Sequence, residues 1–235
     1  MTSNPIFVAL DTPDLAQALA IAKSVKPHVG GLKVGLEFIT ARGPAGVRQI
    51  VELGLPVFAD VKFHDIPNTV AGAAREIAKL GIAMFNVHTS GGEAMMRAAK
   101  EAAASVDPKV KVLGVTVLTS LAEQDLRMVG QGDSPVAQVE RLAALAKRSG
   151  LDGVVCSPHE IAAVRRVCGP GFLVVTPGVR PAGSDLADQR RVTTPRQAMG
   201  AGADILVIGR PITAAANPAE AARAIAGEIA ETIAA

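Results

Sequence analysis

The sequence contains no tryptophan and no tyrosine, and aromatic residues make up only 3% of its 235 positions. Surfaces that bind single-stranded nucleic acid stack bases on aromatic rings, so that class of function has no platform here. A planar ligand ring would have to be gripped by aliphatic walls, Phe or backbone. Cysteine is almost as scarce. Cys156 and Cys168 are the only two, without the paired spacing of a disulfide scaffold or a zinc site, and a reducing cytoplasm is the simplest setting. Both read as small core residues. The net charge of +2 is small and its basic residues are scattered, which leaves no electrostatic footprint for nucleic acid. No apolar run reaches the roughly 18 residues of a membrane span. Met1-Thr2-Ser3-Asn4-Pro5 has neither the basic start nor the cleavage signature of a signal peptide.

What is abundant is aliphatic. Hydrophobic residues make up 49% of the chain and charged ones 20%, enough to bury a sizeable core in one domain. Short runs rich in Val, Ile and Leu alternate with longer Ala-rich amphipathic segments. Strands are predicted over residues 6–10, 31–35, 55–59, 83–87, 112–118, 153–156, 172–176 and 204–208. Helices are predicted over residues 14–26, from 36 toward 53, 67–80, after 92, in a short piece after 120, over 134–148, 158–167 and 195–200, and from 217 to the end. The strands are continuously apolar, as parallel strands covered on both faces are. Eight such units in roughly 250 residues predict a (β/α)8 TIM barrel, an α/β fold spanning residues 1–235 as one domain. A doubly wound open sheet is the alternative. It lacks support because the turn after the first strand is Asp11-Thr12-Pro13-Asp14 rather than a glycine-rich dinucleotide loop. The polar loop over 177–194 is longer than most βα loops and reads as a lid or binding loop.

The chemistry concentrates in Asp60-Val61-Lys62-Phe63-His64-Asp65. Residues two apart in a strand share a face, so Asp60 and Lys62 should point together off the end of the third strand. Asp65 lies beyond it, where the chain turns toward Pro67. The bland alternative is an ion pair capping a core strand. Barrel sites lie at the carboxyl ends of the strands. Those ends hold Asp11, Lys33, Asp60, Lys62, Asp65, Thr119, Ser120, Arg180, Gly209 and Arg210. Lys33, between Leu32 and Val34, should enter the barrel mouth. Two glycine–arginine turns, Gly178-Val179-Arg180 and Gly209-Arg210, follow the seventh and eighth strands. Glycine lets backbone N–H groups approach an anion and Arg adds a forked charge, which points to a phosphorylated ligand. The four histidines are not spaced as metal ligands, and no nucleophile elbow is present. His64 should face away from Asp60 and Lys62, and His88 could line the mouth.

Carboxylates and ammoniums alternating at one mouth favour the ammonium form of Lys62, a poor nucleophile and ready proton donor. Preorganised ammoniums stabilise a carbanion where it forms. The pattern suits loss of CO2 followed by protonation, without metal or other cofactor.

Asp60-x-Lys62-x-x-Asp65 continued by Ile66-Pro67-Asn68-Thr69 resembles the motif of the orotidine 5'-phosphate decarboxylases. The likeness extends to Leu10-Asp11, Gly31-Leu32-Lys33-Val34-Gly35, Leu118-Thr119-Ser120, Thr176-Pro177-Gly178-Val179-Arg180 and Ile208-Gly209-Arg210-Pro211-Ile212. It implies that Lys62 donates a proton to pyrimidine carbon 6. Asp60 would sit by the leaving carboxylate, and Lys33 would join the charge network to the ribose. Asp11 would hold ribose hydroxyls, while Thr119 and Ser120 would contact the pyrimidine region. Gln189, Gly209 and Arg210 would bind the phosphate, with Arg180 closing over it. Val61, Phe63, His64, Pro67 and Asn68 belong to the same substrate-binding stretch. Asp65, Ile66 and Thr69 would come from a second subunit, making a homodimer with shared sites. The expected product is uridine 5'-monophosphate, the end of de novo pyrimidine nucleotide synthesis. Two rivals share parts of the pattern: a Mg2+-dependent barrel acting on a 3-keto sugar phosphate, and a non-catalytic phosphate-ligand binder.

Overall fold

A computed structural model describes residues 4–132, 134–181 and 193–233. Eight parallel strands close into one barrel in sequence order: β1 (Ile6–Ala9), β2 (Gly31–Gly35), β3 (Val57–Phe63), β4 (Met84–His88), β5 (Lys111–Val115), β6 (Gly153–Val155), β7 (Leu173–Pro177) and β8 (Ile205–Ile208). β8 pairs back onto β1 through Phe7 and Val207. The expected (β/α)8 barrel is the fold. Ten helices surround it among the described residues: α1 (Leu15–Val25), α2 (Leu36–Val51), α3 (Pro67–Ala78), α4 (Glu93–Ala104), α5 (Glu123–Met128), α6 (Pro135–Arg148), α7 (Ile161–Cys168), α8 (Pro195–Gly200), α9 (Arg210–Thr213) and α10 (Pro218–Ile233). No described helix is long and apolar enough to cross a membrane.

Local chemistry sets several boundaries. Asp14 caps α1, accepting from the amides of Ala16 (2.8 Å) and Gln17 (3.2 Å). Proline occupies the first turn of α3, α6, α8 and α9, where its missing N–H is harmless. The predicted helix toward residue 53 is broken inside α2. Gly43 takes a non-helical conformation directly before Pro44, as the proline ring disfavours helical backbone in the residue preceding it.

The core has two layers. Phe7, Phe58, Met84, Leu113, Val175 and Ile205 fill the barrel interior. Their strand neighbours, among them Val8, Ala59, Phe85, Val112, Val174 and Leu206, pack outward against the helices. Both faces of each strand are therefore apolar, and alternation is hidden in the sequence.

Two carboxylates fasten the amino end of the barrel. Asp152, just before β6, donates its amide to the Val112 carbonyl (3.0 Å) while its Oδ2 accepts from the Val112 amide (2.8 Å). Lys100 and Lys111 neutralise it at 2.5 and 3.2 Å. Asp204, just before β8, repeats the pattern on Val174, with amide to carbonyl 2.9 Å and amide to carboxylate 2.7 Å. Its cation is Arg165, at 2.6 Å. Each carboxylate thus ties two adjacent strands to a surrounding helix.

Candidate active site

At the carboxyl end, a cavity of about 460 Å3 opens above the interior core layer, within the usual size of small-molecule sites. Its lining follows from strand alternation. Ala9, Asp60, Val115, Pro177 and Val207 line it. Each lies two residues beyond an interior core residue: Phe7, Phe58, Leu113, Val175 and Ile205.

β3 continues past the predicted end at residue 59 and carries Asp60 and Lys62 within it, while Asp65 lies beyond it as expected. The strand holds register with β2 through Gly35 and Asp60. On the β4 side it advances four residues, from Ala59 to Phe63, while β4 advances two, from Phe85 to Val87. That bulge lifts residues 60–62 off the β4 backbone. Lys62 sits in it with φ +49°, and no other described non-glycine residue has positive φ. Asn86, fully buried, fills the gap. Its Oδ1 accepts from the Lys62 amide at 2.7 Å, and its Nδ2 donates to Asp60 Oδ1 at 2.7 Å.

The charges form a chain across the mouth. Lys62 Nζ lies 2.6 Å from Asp60 Oδ1, Lys33 Nζ lies 4.0 Å from Asp60 Oδ2, and Lys33 Nζ is 2.5 Å from Asp11 Oδ1. Lys33 is 7% exposed, against 53% for Asp11 and 29% for Lys62, so the chain is buried at Lys33 and more open at both ends. Gly35 makes room for it. A Cβ there would stand 3.0 Å from Asp11 Oδ1 and 3.1 Å from Lys33 Nζ.

Opposite this chain the wall is apolar, from Val115, Val117, Val155 and Val207. Cys156 joins it, and burial raises its thiol above the ordinary range, keeping it neutral. Gly178, with φ +75°, Arg180, Gly209 and Arg210 close the remaining side. The short α9, which the sequence reading missed, begins at that Arg210. Arg180 is buried, and its amide donates to the Thr193 carbonyl at 3.0 Å.

Of the residues singled out from the sequence, Asp11, Lys33, Asp60, Lys62, Thr119, Arg180, Gly209 and Arg210 line the cavity. Val61 and Phe63 face the helices, where Phe63 lies 6.0 Å from the Phe85 ring. His64 is exposed and stacks on His88 with ring centroids 5.4 Å apart. Burial lowers the His88 pKa; His64 and Lys62 lower it further, and Asp60 opposes them. Asp65 is exposed and accepts from the Ile66 amide at 2.7 Å. Ile66, Pro67, Asn68, Thr69 and Ser120 are also exposed, and none of this group lines the cavity of the single chain. Gln189 lies outside the described residues. Asn86 and the valine wall were missed by the sequence reading. Counting in twos from the interior residue Met84 would have nominated Asn86.

Charged side chains gathered over the carboxyl ends of a closed (β/α)8 barrel, above an apolar floor, define a barrel enzyme. A family model described as orotidine 5'-phosphate decarboxylase / HUMPS family matches residues 4–225, and the chain belongs to that family. It is 58% identical to an orotidine 5'-phosphate decarboxylase of Moorella thermoacetica, over 96% of this chain and 92% of that one. It is 52% identical to the enzyme of the same name from Paramagnetospirillum magneticum, over 96% and 98%. A crystal structure of orotidine 5'-phosphate decarboxylase from Lactobacillus acidophilus superposes with a TM-score of 0.86 at 38% identity, covering 97% of this chain and 99% of that one.

Proposed function

We propose that the protein decarboxylates orotidine 5'-monophosphate to uridine 5'-monophosphate and CO2, the last step of de novo pyrimidine nucleotide synthesis. The observation that carries this reading is the chain Asp11–Lys33–Asp60–Lys62 laid across one side of a cavity with a valine wall. The C–C bond breaks so that its electron pair stays on pyrimidine carbon 6. Lys33 and Lys62 bring fixed positive charge to that carbanion, and Lys62 delivers the proton that completes the product. Asp60, already committed to both ammoniums, faces the departing carboxylate. Arg180, Gly209 and Arg210, with Gln189, hold the phosphate, and Asp11 the ribose. Thr119 and Ser120 serve the pyrimidine. The cationic positions are filled by ammoniums, so the reaction needs no cofactor or metal.

Asp65 completes the site of a second copy in a homodimer. In support, residues 64–69 face solvent in the single chain, and Ile66 leaves 66% of its surface exposed, an apolar side chain suited to a protein contact. Two buried free thiols suit a cytoplasmic setting.

The test is incubation of the purified protein with orotidine 5'-monophosphate in the presence of EDTA, following uridine 5'-monophosphate. No turnover with or without EDTA defeats the proposal; turnover abolished by EDTA keeps the decarboxylation and defeats its metal-free mechanism. For the shared site, two inactive variants, Lys62→Ala and Asp65→Ala, are mixed under conditions of proven subunit exchange. Recovery of part of the activity is expected. None would place Asp65 outside the partner's site.

A further inference from the structure

We infer that Asn86 is a positioning residue of this site, its side-chain amide locking the bulge that aims Lys62 and Asp60 into the cavity. The inference rests on the decarboxylase reading above. Left-handed backbone at a residue with a Cβ is unfavourable, and it persists only where its surroundings enforce it. At Lys62 the β4 side supplies a side-chain bond to the backbone. The bulge leaves residues 60–62 without a register partner on β4, and Asn86 Oδ1 takes the Lys62 amide.

The same amide acts on the carboxylate. Asp60 Oδ1 receives Asn86 Nδ2 at 2.7 Å and Lys62 Nζ at 2.6 Å. The two donors fix the rotation of the carboxylate and leave Oδ2 toward Lys33. One fully buried residue therefore sets the backbone of the proton donor and the orientation of its counter-ion. It reaches both because it stands one layer above Met84, on the same level as Asp60. Asn86 does not line the cavity, so its effect travels through Lys62 and Asp60. Aspartate at this position would keep an acceptor for the Lys62 amide but turn an oxygen toward Asp60, replacing attraction by repulsion.

The experiment compares the unaltered protein with Asn86→Ala and Asn86→Asp in kcat, KM and affinity for uridine 5'-monophosphate. A small misplacement of reacting groups lowers rate by about 100-fold, so kcat should fall by about that factor in Asn86→Ala and at least as far in Asn86→Asp. KM and product affinity, set by the phosphate and ribose contacts, should change less than about threefold. In the unaltered protein the Lys62 amide should exchange slowly with solvent deuterium. An active parent whose variants keep kcat within about threefold overturns the inference alone, as does a rapidly exchanging Lys62 amide. Equal losses in kcat and product affinity, or two variants that fail to fold, assign Asn86 to packing and overturn it too. A parent without turnover instead defeats the decarboxylase reading.

Discussion

At the amino end of the barrel, Asp152 and Asp204 each accept a backbone amide from the neighbouring strand and a cation from a surrounding helix. At the carboxyl end, Asp60 accepts an ammonium and a side-chain amide, and faces a cavity. The residue types are the same and their attachments differ. A carboxylate that accepts the backbone amide of the neighbouring strand holds the fold. One bonded only to side chains, beside an open volume, has charge left to act on a ligand. Location within a barrel strand separates stability from chemistry, and here the separation can be read bond by bond.

The sharpest test of that contrast is Lys62→Ala. Removing the proposed proton donor should lower kcat by about 10³-fold or more, equivalent to ~4 kcal/mol of activation barrier, with product affinity retained and thermal stability unchanged or slightly higher. A stability loss as large as the activity loss would erase the distinction between the two ends. Asp152→Ala is the converse. It strands Lys100, Lys111 and the Val112 amide, and should lower stability by about 3 kcal/mol, measured by urea denaturation. Activity per folded molecule should stay within about twofold. Gly35→Ala probes the mouth more gently. Its Cβ would press on Asp11 and Lys33, both ends of flexible side chains, so kcat/KM should drop by about three- to tenfold, or ~1 kcal/mol, with no change in melting temperature. The smallest effect concerns His88. Its native pKa lies below the ordinary 6.5, so the unfolded chain binds the extra proton. The stability from neutral His88 is full above pH 6.5 and is lost as pH falls from there through the lowered native value. His88→Gln should flatten the decline of melting temperature below pH 6.5; an unchanged slope would remove His88 from that role.

The fold was legible because the apolar runs were. Each predicted strand overlaps an observed one. The third strand was misread at its end. The apolar run stops at Ala59, yet β3 continues through Phe63, because Asp60 pairs with Lys62 and Asn86 at the open mouth of the barrel. Their shared face followed from the period of two and holds, with both in the cavity lining. The bulge was invisible, since nothing in Asp-Val-Lys announces a positive φ. Asn86 was passed over because one polar residue in an apolar strand carries little signal until register sets Phe85 against Ala59. The α9 turn was lost because four residues with a proline show no periodicity.

Lys62 has a consequence for how such a sequence could drift. Its backbone conformation suits glycine or asparagine better than lysine, by about 1 kcal/mol. Selection for thermal robustness alone would therefore erode the proposed proton donor. Lys62→Gly and Lys62→Asn should each yield an inactive protein that melts no lower than the parent. Screens that rank variants of this barrel by melting temperature would reward both changes, and only a screen that couples survival to product formation would reject them.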